Sequence, residues 1–221
     1  MQKMQPPDSS NLQEHSLKIV VQNVQSIANK VLQLSHFLKE QNPDYLLVCE
    51  HWQTDDEINM ICLNDYKLCA SICRPKKKHG GLAIFRKSDI KCKTLTVTKN
   101  FSLLNIFECC AVETESDDVV IIAMYRSPSG SSSGNELFLE KFDSMCEYFC
   151  KSRKQVIICG DFNIEFNKKT ANSREFFDLL NVYNFNIGTT KPTRASNCID
   201  NILINNFVNV VKMNVIVNNI S

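Results

Sequence analysis

An α/β fold of two mixed β-sheets packed face to face, with helices outside, is what this sequence predicts. Three observations carry that prediction. Short apolar runs such as "VVIIAMYR" (119–126) and "VIIC" (156–159) recur along the chain and read as buried strands. A few segments with apolar residues at helical spacing are interspersed among them. The first unit is strand-helix-strand, whereas the middle of the chain is strand after strand with turn signals, so neither an all-parallel nor an all-antiparallel sheet fits.

The elements follow in order. Residues 17–22 ("LKIVVQ") form a first strand, and 28–40 place Val31, Leu34, Phe37 and Leu38 on one helical face before "QNPD" ends the helix. "YLLVC" (45–49) is the second strand. Between 66 and 126, "YKLCASICR", "GGLAIFR", "IKCKTLTV", "LLNIFECCAVE" and "VVIIAMYR" predict antiparallel strands. A Ser/Gly-rich loop then leads to a helix over 136–150, whose Leu137, Phe138, Phe142, Met145 and Phe149 make an apolar stripe. The "VIIC" strand, a helix over 173–180 and late strands in "CIDNILIN" and "VNVVKMNVIV" complete the series. No internal repeat or linker interrupts it.

Composition limits what the chain can be. With 221 residues and 43% hydrophobic content it can bury one sizeable core, so one domain over 17–221 is expected behind a disordered tail over 1–16. A net charge of +1 creates no global field, so any nucleic-acid surface must be local. No run of ~18 apolar residues suggests a membrane span, and "MQKMQPPDSSNLQEHS" lacks the basic and apolar regions of a signal peptide. The eleven cysteines sit mostly inside apolar runs (Cys49, Cys109, Cys110, Cys159) without C-x-x-C pairing. That pattern favours reduced thiols and a nuclear or cytoplasmic location rather than secretion. Cys69, Cys73 and His79 could be grouped as zinc ligands, but their spacing fits no ordinary module and a fourth ligand is missing.

Polar residues abut several of these apolar strands. In "VIICGDFN", Gly160 breaks the strand, and Asp161 and Asn163 point into a common crevice if the backbone stays extended across Phe162. The competing reading is a turn in which both bond their own backbone. Asn23, Glu50, Tyr125 and Asp200 also stand at or just after strand ends, so the six would gather along one rim. A carboxylate such as Glu50, aided by amide oxygens, suits Mg²⁺ or Mn²⁺, which keep positions open for phosphate oxygens. Asp161 and Asn163 could orient a water for attack on phosphorus, with Tyr125 near the developing charge. Taken alone, Glu50 reads rather as a surface carboxylate, and Tyr125 as a strand tyrosine with an exposed hydroxyl.

The series "QNVQSI", "NPDYLLVCEHW", "GGLAIF", "MYRSPSG", "VIICGDFNI" and "KPTRASNCIDNILIN" closely resembles the endonuclease/exonuclease/phosphatase superfamily. Within it, "CEHW" and "PTR" followed by "CIDNI" resemble the apurinic-like endonuclease domains of non-LTR (LINE/jockey-like) retrotransposons. The resemblance implies a DNase I-like four-layer α/β sandwich, a Mg²⁺ or Mn²⁺ cofactor, and a DNA-nicking phosphodiesterase that primes reverse transcription; no organic cofactor is expected, and a monomer is the expectation although the residues do not fix the oligomeric state. It further implies that Asn23 and Glu50 bind metal or phosphate, Tyr125 contacts the scissile phosphate, and Asp161 and Asn163 position the nucleophile. Asp200 would support the catalytic histidine and Thr193 would lie beside the DNA backbone. The family's closing Ser-Asp-His is not matched beyond Ser221, which predicts weak or no activity for a chain truncated there. A catalytically dead nucleic-acid-binding relic, and a relative hydrolysing RNA or small phosphoesters, are the alternatives.

For DNA contact, Arg126 and Arg194 flank the expected rim, and the basic hairpin "RPKKKHGG" offers Lys76 and Lys77. The same hairpin also reads as a solvated turn that resists aggregation. Trp52 could stack on a base, or be buried beside the second helix.

Overall fold

The computed structural model describes residues 16–75, 79–115, 118–128, 132–152, 154–168, 170–205, 213–216, 218 and 220. Two sheets organise them. In the smaller, β1 (Ile19–Asn23), β2 (Tyr45–Cys49), β3 (Tyr66–Ile72) and β4 (Leu82–Lys87) lie in the order β1-β2-β4-β3. In the larger, β5 (Cys92–Thr94), β6 (Phe107–Thr114), β7 (Val119–Arg126), β8 (Gln155–Asp161), β9 (Asn186–Ile187) and β10 (Asp200–Ile204) lie in the order β5-β6-β7-β8-β10-β9. The pairs β1/β2 and β7/β8 are parallel and the rest antiparallel, so both sheets are mixed. The antiparallel texture expected over 66–126 is present. It is divided between the two sheets, which the order of strands in the sequence does not reveal.

Helices α1 (Val31–Gln41), α2 (Asp55–Met60), α3 (Ser132–Cys150) and α4 (Ala171–Val182) connect these strands. Three apolar clusters separate four layers. Leu34, Phe37 and Leu38 of α1 pack on Leu46, Val48 and Phe85, outside the smaller sheet. Leu47, Cys49 and Ile84 meet Ile121, Ala123, Ile157 and Cys159 between the sheets. Phe138 and Phe142 of α3 and Phe176 of α4 cover Ile122, Met124, Ile158 and Phe162 outside the larger sheet. Strands buried on both faces, such as β2 and β8, therefore read as unbroken apolar runs.

Local chemistry sets the helix ends. Asn42 closes α1 in a left-handed conformation (φ 48°), donating its N–H to Leu38 O, a role that asparagine tolerates. Thr54 and Glu57 form a capping box at α2. That short helix was legible as T-x-x-E in "TDDE" but is not among the predicted elements. α3 begins earlier than expected, at Ser132, inside the Ser/Gly-rich stretch. The proposed strand in "VNVVKMNVIV" and the tail over 1–15 fall largely outside the described residues, and 213–216 belong to no strand. Among the described residues, no helix is long and apolar enough to cross a membrane.

Candidate active site

The larger sheet places four polar side chains by register alone. Glu108 on β6 pairs with Tyr125 on β7, Tyr125 with Asp161 on β8, and Asp161 with Asp200 on β10. Cross-strand partners share a face, so this row points between the sheets, at the end where the strands stop. Asn23, at the end of β1 and in phase with Ile19 and Val21, faces it from the smaller sheet.

Glu50 enters by a different route. It has φ 57°, as does Trp52, and Gln25 and Ser26 are also left-handed, so the chain turns sharply after both β1 and β2. Backbone bonds from Ser26 N–H to Glu50 O (2.9 Å) and from Val24 N–H to Cys49 O (3.0 Å) hold the two turns together. Asn23 Nδ2 then donates to Glu50 Oε1 (2.7 Å) and Asp161 Oδ2 (2.9 Å), joining the two sheets at the rim. Trp52 Nε1 donates to Glu50 Oε2 (3.2 Å), a role for the indole that sequence reasoning missed.

Beyond Gly160 the backbone does not stay extended. Asn163 is left-handed (φ 47°), and its N–H donates to Asp161 Oδ1 (3.1 Å), closing a turn. Both readings of "GDFN" therefore hold in part, because Asp161 uses one oxygen for the turn and presents the other to Asn23. The Asn163 amide donates to Arg126 O (2.6 Å) and is thus tied to the end of β7. Gly160 is required sterically: with φ 156°, a Cβ there would lie 1.8 Å from Met124 O. Phe162 is fully buried on the helical side.

The predicted DNA-contacting residues separate into three groups. Arg194 Nη2 donates to Asp161 Oδ2 (3.2 Å) and lies 4.0 Å from Asp200 Oδ1, with its side chain 37% exposed. Thr193 Oγ1 donates to Asp200 Oδ2 (2.9 Å) and accepts from the Ile199 and Asp200 N–H groups, so it shapes the entry to β10. Arg126 is buried on the opposite face of β7, its guanidinium 5.0 Å from the Phe138 ring centroid and donating to Asn163 O and Asn135 Oδ1. The expectation of an exposed cation at the rim meets the period-two alternation of the strand, which turns residue 126 away from residue 125. Lys76 and Lys77 lie outside the described residues.

Charge crowds the cleft. Burial, then the charge of Asp200, push the Asp161 carboxyl up to about 7, against the opposing pull of Arg194 and Asn23. Asp200 is also raised, by burial first and by Glu50 more weakly, with Arg194 and Thr193 opposing. Burial, with Glu50 and Asp161 nearby, holds the Tyr125 phenol well above its ordinary range, so it remains a proton donor. The described histidines lie elsewhere: His36 pairs with Glu40 on the exposed side of α1, and His79 meets Trp52 edge-on. His51 is buried and neutral, its pKa lowered to about 4 by burial, with Nε2 toward Ile72 O and Nδ1 accepting from Gln53 N–H.

This donor set fits a hard cation. Glu50 Oε1 and Oε2 are bonded by Asn23 and Trp52, and each carboxylate oxygen retains a further lone pair. Among the described residues no three His, Cys, Asp or Glu side chains form a complete ligand cage. A divalent ion that takes one or two carboxylates and shares its remaining positions with substrate oxygens needs none.

The endonuclease/exonuclease/phosphatase family profile matches residues 20–220, covering every residue of this rim. The chain belongs to that family. Among solved structures, this family member is similar to the Neisseria 3′ phosphatase NExo bound to a product DNA hairpin (16% identity, 86% of this chain, 87% of that one, TM-score 0.62). It is also similar to the endonuclease domain of TRAS1, a telomere-specific non-LTR retrotransposon (13% identity, 86% and 85% coverage, TM-score 0.62). An AP endonuclease from Archaeoglobus fulgidus is a third likeness (17% identity, 86% of each chain, TM-score 0.61). At these identities the likeness is one of fold, the DNase I-like sandwich. No curated protein sequence matches the chain.

Proposed function

We propose that this domain is a divalent-metal-dependent DNA endonuclease of a non-LTR retrotransposon, which nicks one strand of target DNA and leaves a 3′-hydroxyl to prime reverse transcription. One observation carries the hydrolytic reading: Asn23, Glu50, Tyr125, Asp161 and Asp200, from five separate strands or strand ends, converge on one rim. The retrotransposon assignment is supported by the "PTR…CIDN" pattern and by the likeness to the TRAS1 domain.

Each residue has a task that follows from its contacts. Glu50, held on both oxygens, is the anchoring carboxylate for Mg²⁺ or Mn²⁺, with Asn23 fixing its orientation. When bound, the ion supplies neutralising charge at the phosphate oxygens. Asp161, titrating near neutrality, accepts a proton from the attacking water at Oδ2 once Arg194, which donates to that oxygen, has turned to the phosphate, and Asn163 holds the loop that sets its angle. Tyr125 donates a hydrogen bond from its phenol to a phosphate oxygen as charge develops, keeping its proton. Arg194 faces the same cleft and balances the carboxylates until a phosphate enters.

Relaxation of supercoiled plasmid to nicked circles, with and without Mg²⁺, tests the proposal. Nicking at any rate above background that EDTA stops, that Glu50→Gln lowers by ~10²-fold or more and that leaves termini a polymerase can extend is the expected result. A second reading rests on the likeness to a 3′ phosphatase. Release of phosphate from a 3′-phosphorylated oligonucleotide without any nicking would replace the endonuclease proposal with a phosphatase.

A further inference from the structure

Beside the carboxylate rim lies a second charged cluster that the chemistry above does not use. Arg74, just past β3, turns inward from the basic hairpin: its side chain is 12% exposed, and that of Glu108 is 3% exposed. Arg74 Nε donates to Glu108 Oε1, and Nη2 donates to Ser127 Oγ (2.9 Å), on the segment that follows Tyr125. The guanidinium also lies 5.8 Å from the centroid of the Tyr125 ring. Glu108 Oε2 accepts the Gly81 N–H (2.7 Å), and Glu108 is the cross-strand partner of Tyr125.

The glycines of the hairpin are shaped to this pair. A Cβ on Gly80 would lie 2.3 Å from Arg74 Nε. The Gly80 and Gly81 carbonyls accept from Trp52 N–H (3.2 Å) and His51 N–H (3.4 Å), the two residues that follow Glu50. One buried ion pair thus touches the Tyr125 ring and the Gly81 backbone, and through the Gly80 and Gly81 carbonyls it reaches the segment that follows Glu50. Buried pairs add little net stability over apolar packing of the same volume, so their contribution is geometric. A planar fork with donors in two directions and a face against an aromatic ring fixes orientation as an apolar contact does not.

We infer that Arg74 and Glu108 are a positioning pair, which locks the Tyr125 ring and the backbone at Gly80 and Gly81 into one unit beside the reacting phosphate; this rests on the nuclease reading above. Arg74 acts through Tyr125 and does not itself grip DNA.

The test uses the full chain labelled with 3-fluorotyrosine, the Tyr125 signal being assigned with Tyr125→Phe, alongside plasmid nicking. Arg74→Met/Glu108→Gln removes both charges at similar volume, and so leaves no lone buried ion. Expected are a shifted or broadened Tyr125 fluorine resonance, a kcat lowered about 10–100-fold and a KM within about twofold. Arg74→Lys, which keeps the charge without the fork, recovers part of kcat; should the double variant fail to fold, this single variant decides. An unmoved Tyr125 resonance in folded protein overturns the inference. So does a raised KM at constant kcat, which would make Arg74 a direct DNA contact. If the unaltered chain nicks no DNA, the kinetic arm is silent on the nuclease reading, and the fluorine signal alone decides the role of the pair.

Discussion

The two sheets build their halves of the site by different physical means. In the larger sheet, Glu108, Tyr125, Asp161 and Asp200 occupy one cross-strand row of regular β-structure, so backbone pairing alone sets their spacing. In the smaller sheet, Glu50 and Trp52 lie beyond the strands in left-handed backbone, held by bonds to the segments after Asn23 and around Gly81. A row fixed by register fails only when the sheet fails. A turn held by hydrogen bonds can lose function while the fold survives.

Four substitutions would break or sharpen that contrast. Gly160→Ala strikes the row itself, because its methyl would meet the Met124 carbonyl within β7/β8; loss of the cooperative thermal transition is expected, and a retained melting temperature would refute the packing argument. Glu50→Gln strikes the turn: nicking is expected to fall ~10²–10⁴-fold at nearly unchanged melting temperature, measured on supercoiled plasmid. An equal loss of stability would mean that Glu50 belongs to the scaffold.

Asp161→Asn separates function from stability within the row. The folded-state pKa of Asp161 lies above the usual carboxylate value, so the native state binds more protons than the unfolded chain between about pH 4 and 7. Its contribution to stability is thus lost as pH rises through that window. The variant should unfold at a higher temperature than the parent at about pH 8, gain little at about pH 5, and nick no DNA; a constant offset across that range would contradict the shift. Trp52→Phe keeps an aromatic ring, though a smaller one, and removes the donor to Glu50 Oε2, so a drop of about fivefold in nicking rate is expected, with a melting temperature lowered only slightly.

Much of the fold was legible because burial on both faces leaves a plain mark. "YLLVC" and "VVIIAMYR" coincide with β2 and β7, and the Phe138/Phe142 stripe is the contact of α3 with the larger sheet. Of the six strand-end polar residues, the structure brings Asn23, Glu50, Tyr125, Asp161 and Asp200 together, whereas Asn163 turns to the Arg126 carbonyl and Glu108 was not among them. Arg126 was assigned to the rim from its neighbour, but strand alternation turns it into the helical layer. Arg74 was read as part of a basic loop, although "FECCAVE" already held the acidic residue in an apolar run that draws it inward.

By itself, then, the sequence determined the alternation of elements, the apolar faces and which residue types sit at strand ends, because these depend on periodicity over a few neighbours. Only the tertiary structure decided which strands share a sheet, that Asp161 and Asp200 stand side by side, and that Arg194 and Arg74 serve carboxylates 33 and 34 residues away. Such pairings depend on register between distant segments, and on burial that changes the cost of charge. Neither quantity is carried by any local stretch of the chain.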